Sequence, residues 1–224
     1  SAAKRLIYCG SLAATGPSID GRARVESDPF SPTDWYGESK AEGEHIAFSY
    51  SPRIEVTACR PARIIGPLDR ENLTFCKLAA RVIVLQIRGE PRRVSMIDVD
   101  DVVEQLMLQA TMPEAVGEAF FCASNEALTL DELMREVCSI LKIRGRNIVV
   151  PPLVLRAVGE VADRLSNHLG RKLPINRKLV SQLLAPGWIC SAEKATRLLQ
   201  FTARRSVQAS LRRSVESYVQ AGWL

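Results

Sequence analysis

Arg5-Leu6-Ile7-Tyr8-Cys9-Gly10-Ser11 is a short apolar run that stops on Gly-Ser, and it reads as a buried strand. Residues 12–32 are rich in Gly, Pro, Asp and Ser and read as loop. From Thr33 or Asp34, either of them a good N-cap, the pattern is helical to about Ser49, and Pro52 closes it. Ile54 to Arg60 is a second strand, and Pro61 restricts how the chain leaves the sheet. Strand, helix and strand in this order point to an α/β sheet.

Outward from that unit, Glu71 to Arg81 reads as a short helix and Val94 to Ile97 as a short strand. Asp98-Val99-Asp100-Asp101 then opens a helix to about Ala110, at the end where negative charge is favoured. Glu118 to Cys122 is a third core strand. Thr129-Leu130-Asp131-Glu132 is a capping box that starts a helix to about Lys142. Beyond Pro151-Pro152 the pattern is helical to Leu224, interrupted near Gly170–Pro174 and Ala185–Cys190. The expected fold is α/β: part of a sheet over residues 1–125, with some pocket elements within 63–97, followed by a mostly helical lobe over 126–224.

The 224 residues are 46% apolar and 25% charged, as in ordinary globular chains. The net charge of +5 reads as spread along the chain, with small clusters such as Arg204-Arg205 and Arg212-Arg213. No aromatic residues interleave with basic ones, so a nucleic-acid platform is not expected. The six cysteines show no metal-ligand spacing and several sit in apolar runs, where Cys acts as a small buried hydrophobe. A reducing, cytoplasmic compartment is the expectation. No apolar stretch approaches a membrane span.

The chemistry is carried by Tyr36-Gly37-Glu38-Ser39-Lys40. Tyr and Lys four apart on a helix share a face. An ammonium close to a phenol favours the phenolate. Such a pair can pass a proton to or from an alcohol or carbonyl oxygen. A hydroxyl held nearby, here Ser11, would hydrogen-bond the same oxygen as charge develops on it. The spacing alone also suits a surface helix whose Tyr packs and whose Lys is solvated.

Context favours chemistry. Lys4 to Pro17 (KRLIYCGSLAATGP), the Tyr36–Lys40 segment 25 residues after Ser11, Arg60 to Pro67 (RPARIIGP) and Ser95 to Val102 (SMIDVDDV) follow one another in the order found in the extended short-chain dehydrogenase/reductases, the NAD-dependent epimerase/dehydratase group. The chain resembles that family over nearly its whole length. The resemblance implies a Rossmann-like parallel sheet with a C-terminal substrate lobe. It makes Tyr36 the general acid/base, Lys40 its electrostatic partner and ribose contact, and Ser11 the group that polarises the substrate oxygen. It places Pro61, Ala62 and Arg63 at the nicotinamide end of the cofactor, NAD or NADP, and it implies a small-molecule substrate.

The departures from the family also matter. No G-x-x-G-x-x-G occurs, although members carry such a turn where the pyrophosphate rests on a helix N-terminus. The resemblance implies about three βα units before Ser1, on the order of a hundred residues. Asp98 stands where His is more usual, and Val94 stands where nucleotide-sugar epimerases commonly carry Arg. The pattern is closer to the dihydroflavonol-reductase and 3β-hydroxysteroid-dehydrogenase-like branches. The expected activity is oxidation, reduction or epimerisation at an alcohol/carbonyl centre of a small organic substrate. The competing expectation is a catalytically silent fragment or interaction module that cannot hold the cofactor alone. Members often dimerise through the helix bearing the Tyr-Lys pair, so a homodimer or a missing N-terminal half is the expected partner.

Overall fold

The computed structural model describes residues 3–169 and 175–224, so the interruption expected at Gly170–Pro174 lies outside the described residues. In chain order the elements are β1 (Arg5–Cys9), α1 (Leu12–Thr15), α2 (Trp35–Ser49), β2 (Glu55–Pro61), β3 (Arg63–Ile65), α3 (Leu73–Ala80), β4 (Ile83–Ile87), β5 (Val94–Asp98) and α4 (Val99–Thr111). There follow β6 (Ala119–Cys122), β7 (Ala127–Leu128), α5 (Leu130–Ile140), β8 (Arg146–Val150), α6 (Pro152–Leu169), α7 (Arg177–Leu184), α8 (Glu193–Leu199) and α9 (Val207–Gln220). They form two compact units, each discontinuous in sequence where the sequence suggested one boundary near residue 125. The first takes Ser1–Gly66, Val94–Ala127 and Trp188–Ser210. The second takes Pro67–Arg93, Leu128–Gly187 and Leu211–Leu224.

The first unit is built on a parallel sheet of order β1-β2-β6, with Ile7 opposite Thr57 and Cys59 opposite Phe120. β2 is buried from Val56 to Pro61, as a central parallel strand covered on both faces must be. Successive side chains alternate across a strand. Tyr8 therefore meets α2 on one face, its hydroxyl donating to the Lys40 carbonyl at 3.2 Å. Thr57, in register with Ile7, meets α4 on the other, where the Gln109 amide donates to its hydroxyl at 2.8 Å. Cys59, Ile97, Val102, Phe120, Leu199 and Phe201 form one continuous core beneath α4 and α8.

Local signals placed most of this unit correctly. Asp34 caps α2, its carboxylate accepting from the Gly37 amide at 2.8 Å. Asp98 caps α4 in the same way, accepting from the Asp100 amide at 2.9 Å. Asp101 accepts the backbone amides of Arg204 and Arg205, so these carboxylates fasten a helix start and a distant turn. The loop reading of 12–32 needs one correction. Leu12 to Thr15 form a single helical turn because Leu12 and Ala14 bury themselves while Ser11 caps the turn.

The rest of that loop is tied by Asp28. Its carboxylate accepts two hydrogen bonds from Arg22 and one from the Val25 amide, and Arg22 holds its pKa down at about 2. A carboxylate depressed in the folded state stabilises above its unfolded pKa, and that contribution is lost as pH falls through the folded value. Asp28→Asn is therefore expected to lower stability near neutral pH, by under about 1 kcal/mol because Arg22 is half exposed. The gap between variant and parent should close as pH falls from about 4 to about 2, which urea denaturation across that range would show.

In the second unit, β4 and β8 pair in parallel with Leu85 opposite Ile148, and α3 and α5 pack on β4. The sequence reading contained neither strand. Both are short runs rich in β-branched residues, Ile83-Val84-Leu85-Gln86-Ile87 and Arg146-Asn147-Ile148-Val149-Val150, so the signal was present. The expected capping box at Thr129 is complete, with Glu132 reaching back to the Thr129 amide at 2.8 Å. α6 lies against α7, with Gly159 closest to Val180. No helix among the described residues is long and apolar enough to cross a membrane.

Candidate active site

The residues singled out for chemistry lie at the C-terminal ends of β1 and β2 and on the first two turns of α2. Lys40 is half-buried. Its ammonium donates to the carbonyl of Cys9, the last residue of β1, at 3.0 Å. The same nitrogen lies 5.8 Å from the centroid of the Tyr36 ring and 5.7 Å from that of Tyr8. Tyr36 and Lys40 thus share a face and approach as the four-residue spacing requires. Tyr36 is 48% exposed, and among the described residues its hydroxyl has no hydrogen-bond partner. A single hydrogen bond on the ammonium leaves two of its three N–H groups for a ligand.

Ser11 follows Cys9 by two residues. Its oxygen accepts from the Ala13 amide at 3.1 Å as the cap of α1. That occupies a lone pair and leaves the hydroxyl proton to donate elsewhere. A cap is also all that a strand-end serine would need to be.

Close backbone contact brings α1 and α2 together. A Cβ added to Gly37 would sit 2.5 Å from the Ala13 carbonyl oxygen and 2.9 Å from Pro32 Cβ. Gly37 is next to Tyr36 and Ala13 is two residues from Ser11, so the backbones that carry Tyr36 and Ser11 are held against each other here. Gly43 does the same against β1, where a Cβ would meet the Tyr8 hydroxyl at 2.3 Å. Alanine is the better helix former by about 1 kcal/mol. Gly37→Ala is nevertheless expected to destabilise by about 1–3 kcal/mol, because the obstacle is backbone and cannot rotate away. Chemical denaturation against the parent protein checks the sign.

Two side chains that the sequence reading passed over anchor α2. Glu44, one turn beyond Lys40, and Arg60, near the end of β2, are both buried. Arg60 Nη2 reaches Glu44 Oε1 at 2.6 Å and Nε reaches Oε2 at 3.0 Å, a two-pronged pair. The guanidinium also donates to the Glu26 carbonyl and lies 4.8 Å from the Phe30 ring centroid. The signal was an i, i+4 relation to Lys40 and an Arg inside an otherwise apolar strand. Burial and the Glu44 carboxylate push the Tyr8 phenol up, so Tyr8 keeps the proton it donates to the Lys40 carbonyl.

Pro61 and Ala62 are buried where β2 gives way to β3, and the Ala62 amide donates to the Cys122 carbonyl at 2.9 Å. Arg63 is half-buried, in register with Met96 of β5. His45 is exposed and meets Phe30 edge-on at 5.0 Å. Five of the six cysteines are buried and Cys9 is exposed. No group of His, Cys, Asp and Glu among the described residues could hold a metal ion.

Comparison with known proteins gives the family. The family described as NAD dependent epimerase/dehydratase matches residues 1–123. The chain is 26% identical over 224 residues to a ceramide reductase of Caulobacter vibrioides, covering all of this chain and 65% of that protein. It is 24% identical over 180 residues to a UDP-glucose 4-epimerase of Vibrio cholerae, covering 75% of this chain and 55% of the relative. The chain therefore spans between about half and two thirds of the length of these relatives. The UDP-glucose 4-epimerase of Thermus thermophilus, solved in complex with NAD, superposes with a TM-score of 0.71 at 16% identity over 97% of this chain and 65% of that one. A parallel α/β sheet, the order of the motifs and a match over more than half of the residues lead to one assignment: the chain belongs to the NAD dependent epimerase/dehydratase family.

Proposed function

We propose that this chain carries the acid/base half of an NAD(P)-dependent oxidoreductase that acts on an alcohol/carbonyl centre of a small organic substrate. The observation that carries the reading is the Lys40 ammonium, held by the Cys9 carbonyl beside an exposed phenol whose hydroxyl is unpartnered among the described residues.

In the reducing direction Tyr36 gives its proton to the substrate oxygen, and in the oxidising direction it takes one. The positive charge of Lys40 offsets negative charge on that phenol oxygen while the proton is away. Ser11 donates its free hydroxyl proton to the same substrate oxygen. The nicotinamide, when bound, supplies or accepts the hydride. Pro61, Ala62 and Arg63 would flank its ring, and the two remaining N–H groups of Lys40 suit ribose hydroxyls. The Caulobacter relative is a reductase, which supports reduction of a carbonyl; the Vibrio relative keeps epimerisation in view. Trp35 and Ile46 on α2 and Tyr50 at its C-cap, all exposed, support a homodimer through that helix.

A second reading has its own support. The 224 residues hold no G-x-x-G-x-x-G, and among the described residues β1 pairs with β2 alone. On that reading the chain by itself is silent, because nothing cradles the pyrophosphate and little offsets the cost of ordering the cofactor. Titration of the purified chain with NADH and NADPH, followed by fluorescence, separates the two. Saturable micromolar binding that weakens in Lys40→Met defeats the silent reading. No binding, even with a glycine-rich N-terminal half supplied, defeats the oxidoreductase.

A further inference from the structure

The +5 charge is not evenly held, contrary to the sequence-based expectation. Residues of the second compact unit carry 18 Lys and Arg against 9 Asp and Glu, and those of the first carry 12 against 16. The second unit is therefore +9 and the first −4.

The same unit shows a second apolar face on α6. Leu155 and Ala162 are buried, and Gly159 packs on Val180 of α7. Val154, Val158, Val161 and Leu165, spaced i, i+4, i+7 and i+11, line a different face and are 48%, 41%, 62% and 44% exposed. Leu153 extends that surface at the start of the helix and is 77% exposed. A water-facing helix surface is normally polar, so a stripe of this length marks a contact. Two acidic residues of α6 already have partners: Glu160 pairs with the Arg177 side chain at 3.2 Å, and Asp163 accepts the Arg177 amide at 3.3 Å. Arg156 and Arg164 are exposed on the same helix.

We propose that α6 lies in the plane of an anionic membrane surface, its valine stripe in the acyl boundary and Arg164, on the flank of that stripe, at the level of the headgroups. An 18-residue helix with an exposed apolar stripe, in a unit of net charge +9, suits that position, and the long Arg164 stem reaches from the apolar layer to the phosphates. Charge decides between this occupant and a second copy of the chain. Two +9 units face to face would repel, whereas an anionic leaflet attracts each of them. The inference goes beyond the oxidoreductase reading and does not depend on it.

The test is co-sedimentation of the chain with vesicles of phosphatidylcholine alone and of phosphatidylcholine with phosphatidylglycerol. Pelleting with the anionic vesicles that weakens at high salt is expected. Arg156→Glu with Arg164→Glu should lower that partitioning about tenfold or more. Val158→Asp with Val161→Asp should lower it about as much while leaving the far-ultraviolet dichroism of the chain unchanged. Val158→Ser with Val161→Ser is the milder pair should the aspartates unfold the helix. Failure to pellet with anionic vesicles overturns the proposal. So does pelleting that the valine variants leave intact. A dimer seen by light scattering, dissolved by the valine variants and accompanied by no lipid binding, would give the stripe to a second copy and overturn it equally.

Discussion

Replacing Glu44 with alanine is expected to cost about 3–5 kcal/mol of stability, the usual penalty for stranding one partner of a buried ion pair. Arg60 is only 6% exposed and its guanidinium gives three hydrogen bonds to the Glu44 carboxylate. Without that carboxylate the cation keeps the Glu26 carbonyl and the faces of Phe30 and Phe121, which do not neutralise it. Glu44→Gln retains an acceptor and should cost less. Glu44→Leu combined with Arg60→Met removes both charges and should recover much of the loss, since an apolar pair of similar volume often matches a buried salt bridge. Urea denaturation of the three variants measures this. A loss below about 1 kcal/mol in Glu44→Ala would mean that water reaches Arg60 through the cleft lined by Glu26, Phe30, His45 and Phe48.

Tyr36→Phe is expected to lower turnover by about a hundredfold to ten-thousandfold, the range for a positioned proton donor. The phenol is exposed and its hydroxyl makes no hydrogen bond among the described residues, so the change should leave stability within about 0.5 kcal/mol of the parent. That combination distinguishes chemistry from packing. Ser11→Ala should slow turnover too, by an amount nearer a hundredfold, and should also lose the cap on α1. Nicotinamide absorbance in whichever form turns over a ketone or secondary alcohol, the chain alone or the chain with a cofactor-binding half, reads both effects. Tyr36→Phe within about twofold of the parent rate would remove the proposed proton donor.

Much of the first unit was legible because its cues are local. The apolar run ending at Ser11, the Asp34 cap and the carboxylates of residues 98–101 each settle an element without reference to anything distant. The approach of Lys40 to Tyr36 was legible for the same reason, since four residues on a helix fix a face. What escaped depends on long-range contact. Glu44 looks like any surface carboxylate until the fold brings Arg60 to it from 16 residues away. Gly37 looks like a weak helix residue until the Ala13 carbonyl is in place. β4 and β8 pair across about sixty residues of chain, and their short apolar runs were ambiguous until each had a neighbour. The concentration of positive charge in one unit was hidden because that unit is gathered from three separate stretches.

The lysine is moored by a peptide carbonyl, and this has an evolutionary corollary. The oxygen of Cys9 is offered to Lys40 whatever side chain residue 9 bears. Drift at that position can exchange cysteine for other small residues without casting the ammonium loose, so homologues could differ there while keeping an identical mooring. Mutagenesis of residue 9 cannot probe the interaction. Exchanging the amide between residues 9 and 10 for an ester, whose carbonyl is the poorer acceptor, would weaken it while preserving every side chain. The exchange also removes the Gly10 amide that donates to the Cys59 carbonyl at 2.7 Å, a loss that Gly10→Ala, which keeps the amide, would not share.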